Sequence, residues 1–415
     1  VRVYFSTYGC TMNQGDTEVL RALVAGRHEV VESAEECDAV VVNSCAVVET
    51  TERKVLKEVR HHKRLGRRVV LAGCLAAANP EAARLAGADV LLPPARLAHI
   101  TEALEGCPAE ASSVPERPLL PKRRSPESAI AIVAIAEGCL GRCSYCITRR
   151  ARGRLRSFKP ESIAKEVEQA LEQGFREIQL TCQDTAVYGR DLGTSLPELL
   201  GMLTDLDGKF RIRIGMMNPA WAGEIFDELL RAYRSEKVYR FLHMPVQSGS
   251  NAVLEHMRRG YRVEDFSALV SEFRQHFPES TLSTDVIVGY PTEREEDFEQ
   301  TFRLIEELEP EILNITRFSP RPGTEAAKLK PLAGGVVKER SRRLSCLMRR
   351  VSLERNRRFV GREMEVLVTK HGRHGSLLAR NSAYRQVVVG EGRIGEFRRV
   401  KIAGASHTCL FAQAA

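Results

Sequence analysis

Eleven cysteines stand in this chain of 415 residues, and three of them form the run Cys139-Leu-Gly-Arg-Cys143-Ser-Tyr-Cys146, a Cys-x3-Cys-x2-Cys spacing. Three thiolates at this spacing can hold three of the four irons of a 4Fe–4S cube. The fourth iron then has no protein ligand and is open to a cofactor, which a cluster held by four cysteines is not. A zinc site would need a fourth ligand and usually shows paired Cys-x2-Cys knuckles, and neither is present.

A second set is dispersed. Cys10, Cys45 and Cys74 each follow an apolar run, in Val-Tyr-Phe-Ser-Thr-Tyr-Gly-Cys10, Val-Val-Asn-Ser-Cys45 and Val-Val-Leu-Ala-Gly-Cys74. If those runs are parallel strands, the three cysteines gather at the sheet edge where open α/β sheets bind ligands, and they read as a second three-cysteine cluster. The competing reading is three ordinary core residues. Cys37, Cys107, Cys182, Cys346 and Cys409 show no ligand spacing and are expected to be small buried hydrophobes. A disulfide framework does not suit a chain of this size in a reducing compartment.

The elements that must position these residues follow from periodicity. Over 1–105, β-rich runs at 1–7, 39–43, 68–72 and 89–92 alternate with helical stretches such as 48–62, which predicts a small parallel α/β domain. Residues 106–127 hold five prolines and the basic run Lys122-Arg123-Arg124, the composition of a linker. From 128 to 355 a longer alternation has strand candidates at 129–136, 177–181, 211–216, 240–245, 282–288 and 312–318, which predicts an incomplete (β/α)6 barrel with its chemistry at the strands' C-terminal mouth. Ser162 is placed to cap the helix containing Ile163, Val167 and Leu171, and Gly174 to end it. A basic helix at 337–358 precedes short β-like runs at 364–369, 387–389 and 397–402, which predict a small antiparallel β-barrel over 356–415.

Charge is concentrated at that end. The chain carries a net +8, and residues 356–415 hold eleven Lys and Arg against four Glu, a net +7. Such asymmetry favours a nucleic-acid partner over a merely solvated basic face. Arg362, Lys370, Arg380, Arg398 and Arg399 are candidate phosphate contacts, with Arg373, Arg385, Arg393 and Lys401 adding charge. A second group, Arg149, Arg150, Arg152, Arg154 and Arg156, directly follows the cysteine run and could grip phosphates of a large substrate. No apolar stretch of about 18 residues and no signal-peptide layout is visible, so no membrane is expected and the cytoplasm is the expected setting.

Together with Tyr8-Gly9-Cys10-Thr11-Met12-Asn13 and Asn43-Ser44-Cys45, the two cysteine sets make the chain resemble the methylthiotransferase family of radical S-adenosylmethionine (SAM) enzymes over essentially its whole length. Further matches are His243-Met-Pro-Val-Gln-Ser-Gly-Ser250, Asp285-Val-Ile-Val-Gly-Tyr-Pro-Thr-Glu293 and Ser319-Pro-Arg-Pro-Gly-Thr324, and the C-terminal region resembles that family's RNA-binding TRAM barrel. The resemblance implies a flavodoxin-like N-terminal domain and two 4Fe–4S clusters. The one on Cys139, Cys143 and Cys146 would bind SAM and generate a radical, and the one on Cys10, Cys45 and Cys74 would carry sulfur. It also implies that Ile287 and Gly289 lie near the SAM adenine and Gln183 and Asp184 near its polar groups. A flavodoxin- or ferredoxin-type electron donor and a sulfur source would be partners.

Substrates in the family are a ribosomal-protein aspartate, N6-isopentenyladenosine of tRNA and N6-threonylcarbamoyladenosine of tRNA. The +7 C-terminal region favours RNA. The loop Thr181-Cys-Gln-Asp-Thr-Ala-Val-Tyr-Gly189 resembles the archaeal and eukaryotic branch, which implies action on C2 of threonylcarbamoyladenosine at position 37, beside the anticodon. A cobalamin-dependent radical SAM methylase also carries an α/β domain ahead of its barrel, but residues 1–110 lack an Asp-x-His-x-x-Gly motif. A non-enzymatic RNA-binding iron–sulfur protein is the alternative of another class. Under the methylthiotransferase reading, the C-terminal barrel is expected to grip the tRNA backbone without reading sequence, and deleting residues 360–415 is expected to weaken tRNA binding while leaving both clusters and SAM cleavage intact.

Overall fold

The computed structural model describes residues 1–106 and 127–413, so the prolines and basic run of the expected linker lie outside the described residues. The described chain packs as two units. Residues 1–106, 136–156 and 319–328 form the first, and 127–135, 157–318 and 329–413 form the second.

In the first unit, β1 (Arg2–Thr7), β2 (Glu29–Val31), β3 (Ala39–Ser44), β4 (Arg68–Gly73) and β5 (Val90–Leu92) make a parallel sheet of order β2-β1-β3-β4-β5. This is the flavodoxin-like doubly wound order, with its switch point between β1 and β3. Side chains alternate between two cores. Val3, Phe5, Val41 and Val70 pack with Leu20 and Val24 of α1 (Thr11–Val24). Val40, Val42, Val69 and Leu71 pack with Val55 and Val59 of α2 (Glu49–Arg64). Because both faces are covered, β3 is buried at all six positions and its first four residues are a continuous apolar run rather than an alternating one. Among the further short helices of the unit are α3 (Cys74–Ala78) and α4 (Thr148–Arg152), and Ile147 and Ala151 join the same core as Cys74 and Leu75.

In the second unit the six expected barrel strands are present. β6 (Ile130–Ala134), β7 (Glu177–Thr181) and β8 (Arg211–Ile214) pair in the order β8-β7-β6, and β9 (Phe241–His243), β10 (Thr281–Val288) and β11 (Ile312–Arg317) in the order β9-β10-β11, all parallel. Tyr239 N donates to Ile212 O at 2.9 Å and Met217 N to His243 O at 2.9 Å, which joins the two sheets into a six-stranded arc. Ser162 is not the cap. The helix starts at Pro160 behind Lys159, because proline's fixed φ and missing N–H suit the first helical position. Gly174, at φ +88°, does follow the helix end.

The long helix α5 (Gly334–Arg357) buries Leu344, Leu347, Met348 and Val351, which leaves Cys346 exposed on another face rather than buried as expected. Cys37, Cys182 and Cys409 are buried, and Cys107 lies outside the described residues. The C-terminal barrel is closed by five strands, β12 (Glu363–His371), β13 (Leu377–Asn381), β14 (Gln386–Val389), β15 (Phe397–Ala405) and β16 (Leu410–Ala412). It is not wholly antiparallel, since β14 and β16 pair in parallel through Val387↔Leu410 and Val388↔Phe411.

That barrel is bonded to the rest of its unit. Ala129 N donates to Thr369 O at 2.7 Å and Arg240 N to Ser382 O at 2.8 Å. Buried Glu311 accepts from Arg385 Nη2 at 3.1 Å, Arg355 Nε at 2.6 Å, Arg274 Nη2 at 3.3 Å and Leu282 N at 2.7 Å. Removing residues beyond 360 would take one of three cations from a buried carboxylate and uncover the strands beneath, which should destabilise the rest of the unit. Among the described residues, no helix is long and apolar enough to cross a membrane.

Candidate metal centre

Cys10, Cys45 and Cys74 stand just past the C-terminal ends of the adjacent strands β1, β3 and β4. Two glycines allow the loops to come this close. At Gly73, φ +85°, a Cβ would stand 2.2 Å from Asn43 Oδ1 and 2.7 Å from Ser44 O. At Gly9, φ +126°, it would stand 2.9 Å from Cys45 Cβ. Two buried asparagines lock them. Asn13 Nδ2 donates to Ser44 O at 2.9 Å, and Asn43 Nδ2 donates to Asn13 O at 2.8 Å and to Thr17 Oγ1 at 3.0 Å. Their amides satisfy backbone groups that the strand ends leave unpaired.

The three thiols act on one another electrostatically. Burial pushes the Cys45 thiol up and that of Cys74 up to about 11, with Arg152 opposing the shift at Cys74. Such thiols stay protonated until a metal replaces the proton.

The Cys139 run is held just as tightly. Gly138, φ +77°, has no room for a side chain, since a Cβ would lie 2.0 Å from Arg154 O. Cys139 N donates to Gly153 O at 3.3 Å and Cys146 N to Cys143 O at 3.2 Å. A Cβ on Gly141 would stand 3.3 Å from Cys139 Sγ and 3.8 Å from Cys143 Sγ, so this glycine keeps the space between two thiols clear. Burial raises the Cys146 thiol as well. Among the described residues no three His, Cys, Asp or Glu side chains converge to hold a single ion. The donors of each set are three thiols, the chemistry that holds a 4Fe–4S cube with one iron left open.

The arginines after Cys146 divide. Arg152 is not a phosphate contact: its side chain is 1% exposed and its Nη2 donates to the fully buried carboxylate of Asp16 at 2.6 Å. Arg149 Nη1 donates to Gly141 O at 3.3 Å and Arg156 Nη2 to Glu137 at 2.9 Å, so both support the cysteine loop. Arg150 and Arg154 are exposed, Arg150 with Nη1 at 3.4 Å from Pro322 O. Buried Arg321, paired with Glu52, fastens the 319–328 segment to α2. Asn13, Asp16, Glu52 and Arg321 drew no separate attention in the sequence, although an asparagine or arginine beside an apolar strand end signals a buried polar brace.

In the second unit, Asp184 is 1% exposed, and its Oδ1 accepts from Asn218 N at 3.0 Å and Ala186 N at 3.2 Å, while Oδ2 has no partner among the described residues. Burial pushes its carboxyl up to about 7 against those two donors. Gln183 is half-buried beside it. Ile287 is buried near the end of β10, and Gly289 follows at φ +78° with its N–H on Glu293 at 2.8 Å. Of the C-terminal cations, Arg362 pairs with Glu279, Arg398 pairs with Glu391 and Arg380 stacks on Tyr384 at 4.4 Å, whereas Lys370 and Arg399 are exposed. Arg385 is buried on Glu311 and so is not a surface charge.

Residues 2–92 match the uncharacterized protein family UPF0004, residues 133–305 the Radical SAM superfamily and residues 357–415 the TRAM domain. The chain is 48% identical over 423 residues to a probable threonylcarbamoyladenosine tRNA methylthiotransferase of Archaeoglobus fulgidus, spanning 100% of this chain and 99% of that one. This chain belongs to the radical SAM methylthiotransferase family. A second member of this methylthiotransferase family, from Pyrococcus horikoshii and described in the same words, is 44% identical over 422 residues, with 100% and 99% covered. The solved structure of the radical SAM methyltransferase TsrM from Kitasatospora setae superposes with a TM-score of 0.58 at 16% identity, covering 79% of this chain and 75% of that one, and shows the shared fold alone. As a radical SAM methylthiotransferase, the protein uses SAM and a 4Fe–4S cluster.

Proposed function

We propose that this protein attaches a methylthio group to C2 of N6-threonylcarbamoyladenosine at position 37 of tRNA. Its relatives carry that activity in their descriptions at 48% and 44% identity over their full length. The structural observation that supports a two-cluster enzyme is that α4, which follows Cys146, packs into the core that holds Cys74, with Arg152 reaching Asp16 and acting on the Cys74 thiol.

When bound, SAM and its cluster supply one-electron chemistry able to act on an unactivated aromatic C–H that no side chain could ionise near neutral pH, and a second cluster supplies sulfur. Cys139, Cys143 and Cys146 would hold the first 4Fe–4S cluster and Cys10, Cys45 and Cys74 the second. Gln183, Asp184, Ile287 and Gly289 would border SAM, with Asp184 Oδ2 offering a buried acceptor. In this reading residues 1–105 serve the sulfur-carrying cluster, 128–355 the radical step and 356–415 the tRNA. Arg150 and Arg154 join Lys370 and Arg399 as phosphate contacts. A flavodoxin- or ferredoxin-type donor would supply electrons and a separate sulfur source would restore the second cluster, with the cytoplasm as the setting.

The test is iron content and product after anaerobic reconstitution. The wild type should bind about eight irons, and a Cys10→Ala, Cys45→Ala, Cys74→Ala variant about four. That variant should still cleave SAM to 5′-deoxyadenosine without forming methylthio product. A variant that kept all its iron, or kept four and failed to cleave SAM, would refute the division of labour.

A further inference from the structure

Arg213 differs from the cations around it. Arg211 pairs with Glu365 at 3.0 Å, Arg340 with Glu293 at 2.7 Å and Arg385 with Glu311 at 3.1 Å. Among the described residues, Arg213 makes no ion pair and no hydrogen bond, and its Nε is buried without a partner. It is nevertheless held. Its Cζ lies 5.2 Å from the Phe241 ring centroid and 5.7 Å from that of Tyr384, and rings fix a guanidinium without using its in-plane donors.

The neighbours of Arg213 lie on one face of the arc. Gln179 on β7, Arg213 on β8 and Phe241 on β9 all meet Tyr384, so they share that face, while Ile212 and Ile214, at 0% and 1% exposure, pack on the other. His243 has its ring 6.1 Å from Phe241 and its Nε2 3.3 Å from Asp285, and its Nδ1 has no partner. Asn314 of β11 donates to Asp285 and is itself exposed, and Arg213 and His243 are only part-buried, so this face admits a ligand.

The geometry points to Arg213 as the receptor for the carboxylate that terminates the threonylcarbamoyl group, which makes it a specificity-determining residue. This inference rests on the substrate proposed above. A planar fork of donors with no acceptor matches a carboxylate, and aromatic walls that exclude water strengthen the pairing. An isopentenyl group carries no charge and would leave the guanidinium unmatched, which is how a polar site rejects an apolar analogue. His243, oriented by Asp285, offers a further polar contact beside the carboxylate. A backbone phosphate is the other source of an anion, and the experiment separates the two.

The reconstituted full-length enzyme is titrated with anticodon stem-loops carrying threonylcarbamoyladenosine, its carboxamide counterpart, isopentenyladenosine or unmodified adenosine. The wild type should prefer the acid to the carboxamide by about ten- to a hundredfold, the factor carried by a charge-assisted hydrogen bond. Arg213→Met should bind both alike while keeping its iron content and its affinity for the unmodified stem-loop. Arg213→Lys should recover part of the preference. Indifference of the wild type to the carboxamide would overturn the inference without any variant being needed. So would an acid preference that survives in folded Arg213→Met, or an equal loss on every stem-loop, the mark of a phosphate. Wild type that methylthiolates only the isopentenyl stem-loop would instead refute the substrate reading.

Discussion

At the scale of single residues, the cysteine loops tolerate little. A Cβ at Gly138 would meet Arg154 O at 2.0 Å, so Gly138→Ala should halve the bound iron and abolish SAM cleavage, measured by iron assay and 5′-deoxyadenosine release. Full iron retention would show that the loop can move aside. Asp16→Asn should leave buried Arg152 with only the longer contact to Glu137 at 3.9 Å and cost about 3 kcal/mol in a denaturant titration, with the salt dependence of tRNA binding unchanged. Asp184 gives a pH signature. Its folded carboxyl titrates at about 7 against an ordinary 3.8, so the native state holds the extra proton between those values and stability falls as pH rises through 7. Asp184→Asn keeps an acceptor for Asn218 N and Ala186 N and should remove that slope, stabilising the protein above pH 7. Denaturation midpoints that shifted in parallel at about pH 5 and pH 8 would contradict this. That Cys10, Cys45 and Cys74 follow adjacent strands was legible because position after an apolar strand is local. Arg152 was misread because Asp16, its partner, lies far off along the chain, and a run of arginines looks the same whether solvated or buried.

At the scale of elements, the strands legible in the sequence either carry a short apolar run, as at 39–42 and 286–288, or alternate apolar and polar residues, as in Glu177–Thr181 and Arg211–Ile214. β2 and β16 are three residues long, too short to show a period, and β13 runs on from its buried Leu377 and Ala379 into the polar Arg380 and Asn381. The same loss of locality hid the junction under the C-terminal barrel, where Tyr384, at φ +64°, sets its hydroxyl 3.1 Å from Gln179 and its ring 4.7 Å from Phe241. Glu311→Gln should therefore destabilise the second unit by about 3–5 kcal/mol, because Arg274, Arg355 and Arg385 would lose their shared carboxylate. A variant as stable as wild type by thermal denaturation would show that these cations find other acceptors.

At the scale of the whole molecule, the net +8 is legible in the sequence, but which charges face RNA is not. Lys370, Arg373, Arg393, Arg399 and Lys401 are exposed and make no ion pair among the described residues, whereas Arg362, Arg385 and Arg398 are spent on Glu279, Glu311 and Glu391. Replacing Lys370, Arg399 and Lys401 by Ser should flatten the log–log salt dependence of tRNA binding by about two to three units, each phosphate contact contributing slightly less than one. The same change at Arg362, Arg385 and Arg398 should act on stability instead.

The central claim is tested most directly by the product. tRNA carrying threonylcarbamoyladenosine is incubated anaerobically with the reconstituted enzyme, SAM and a reductant, then digested to nucleosides for mass spectrometry. The account predicts that threonylcarbamoyladenosine gains one methylthio group in place of the hydrogen at C2. Unchanged threonylcarbamoyladenosine from enzyme that carries both clusters and releases 5′-deoxyadenosine would contradict it.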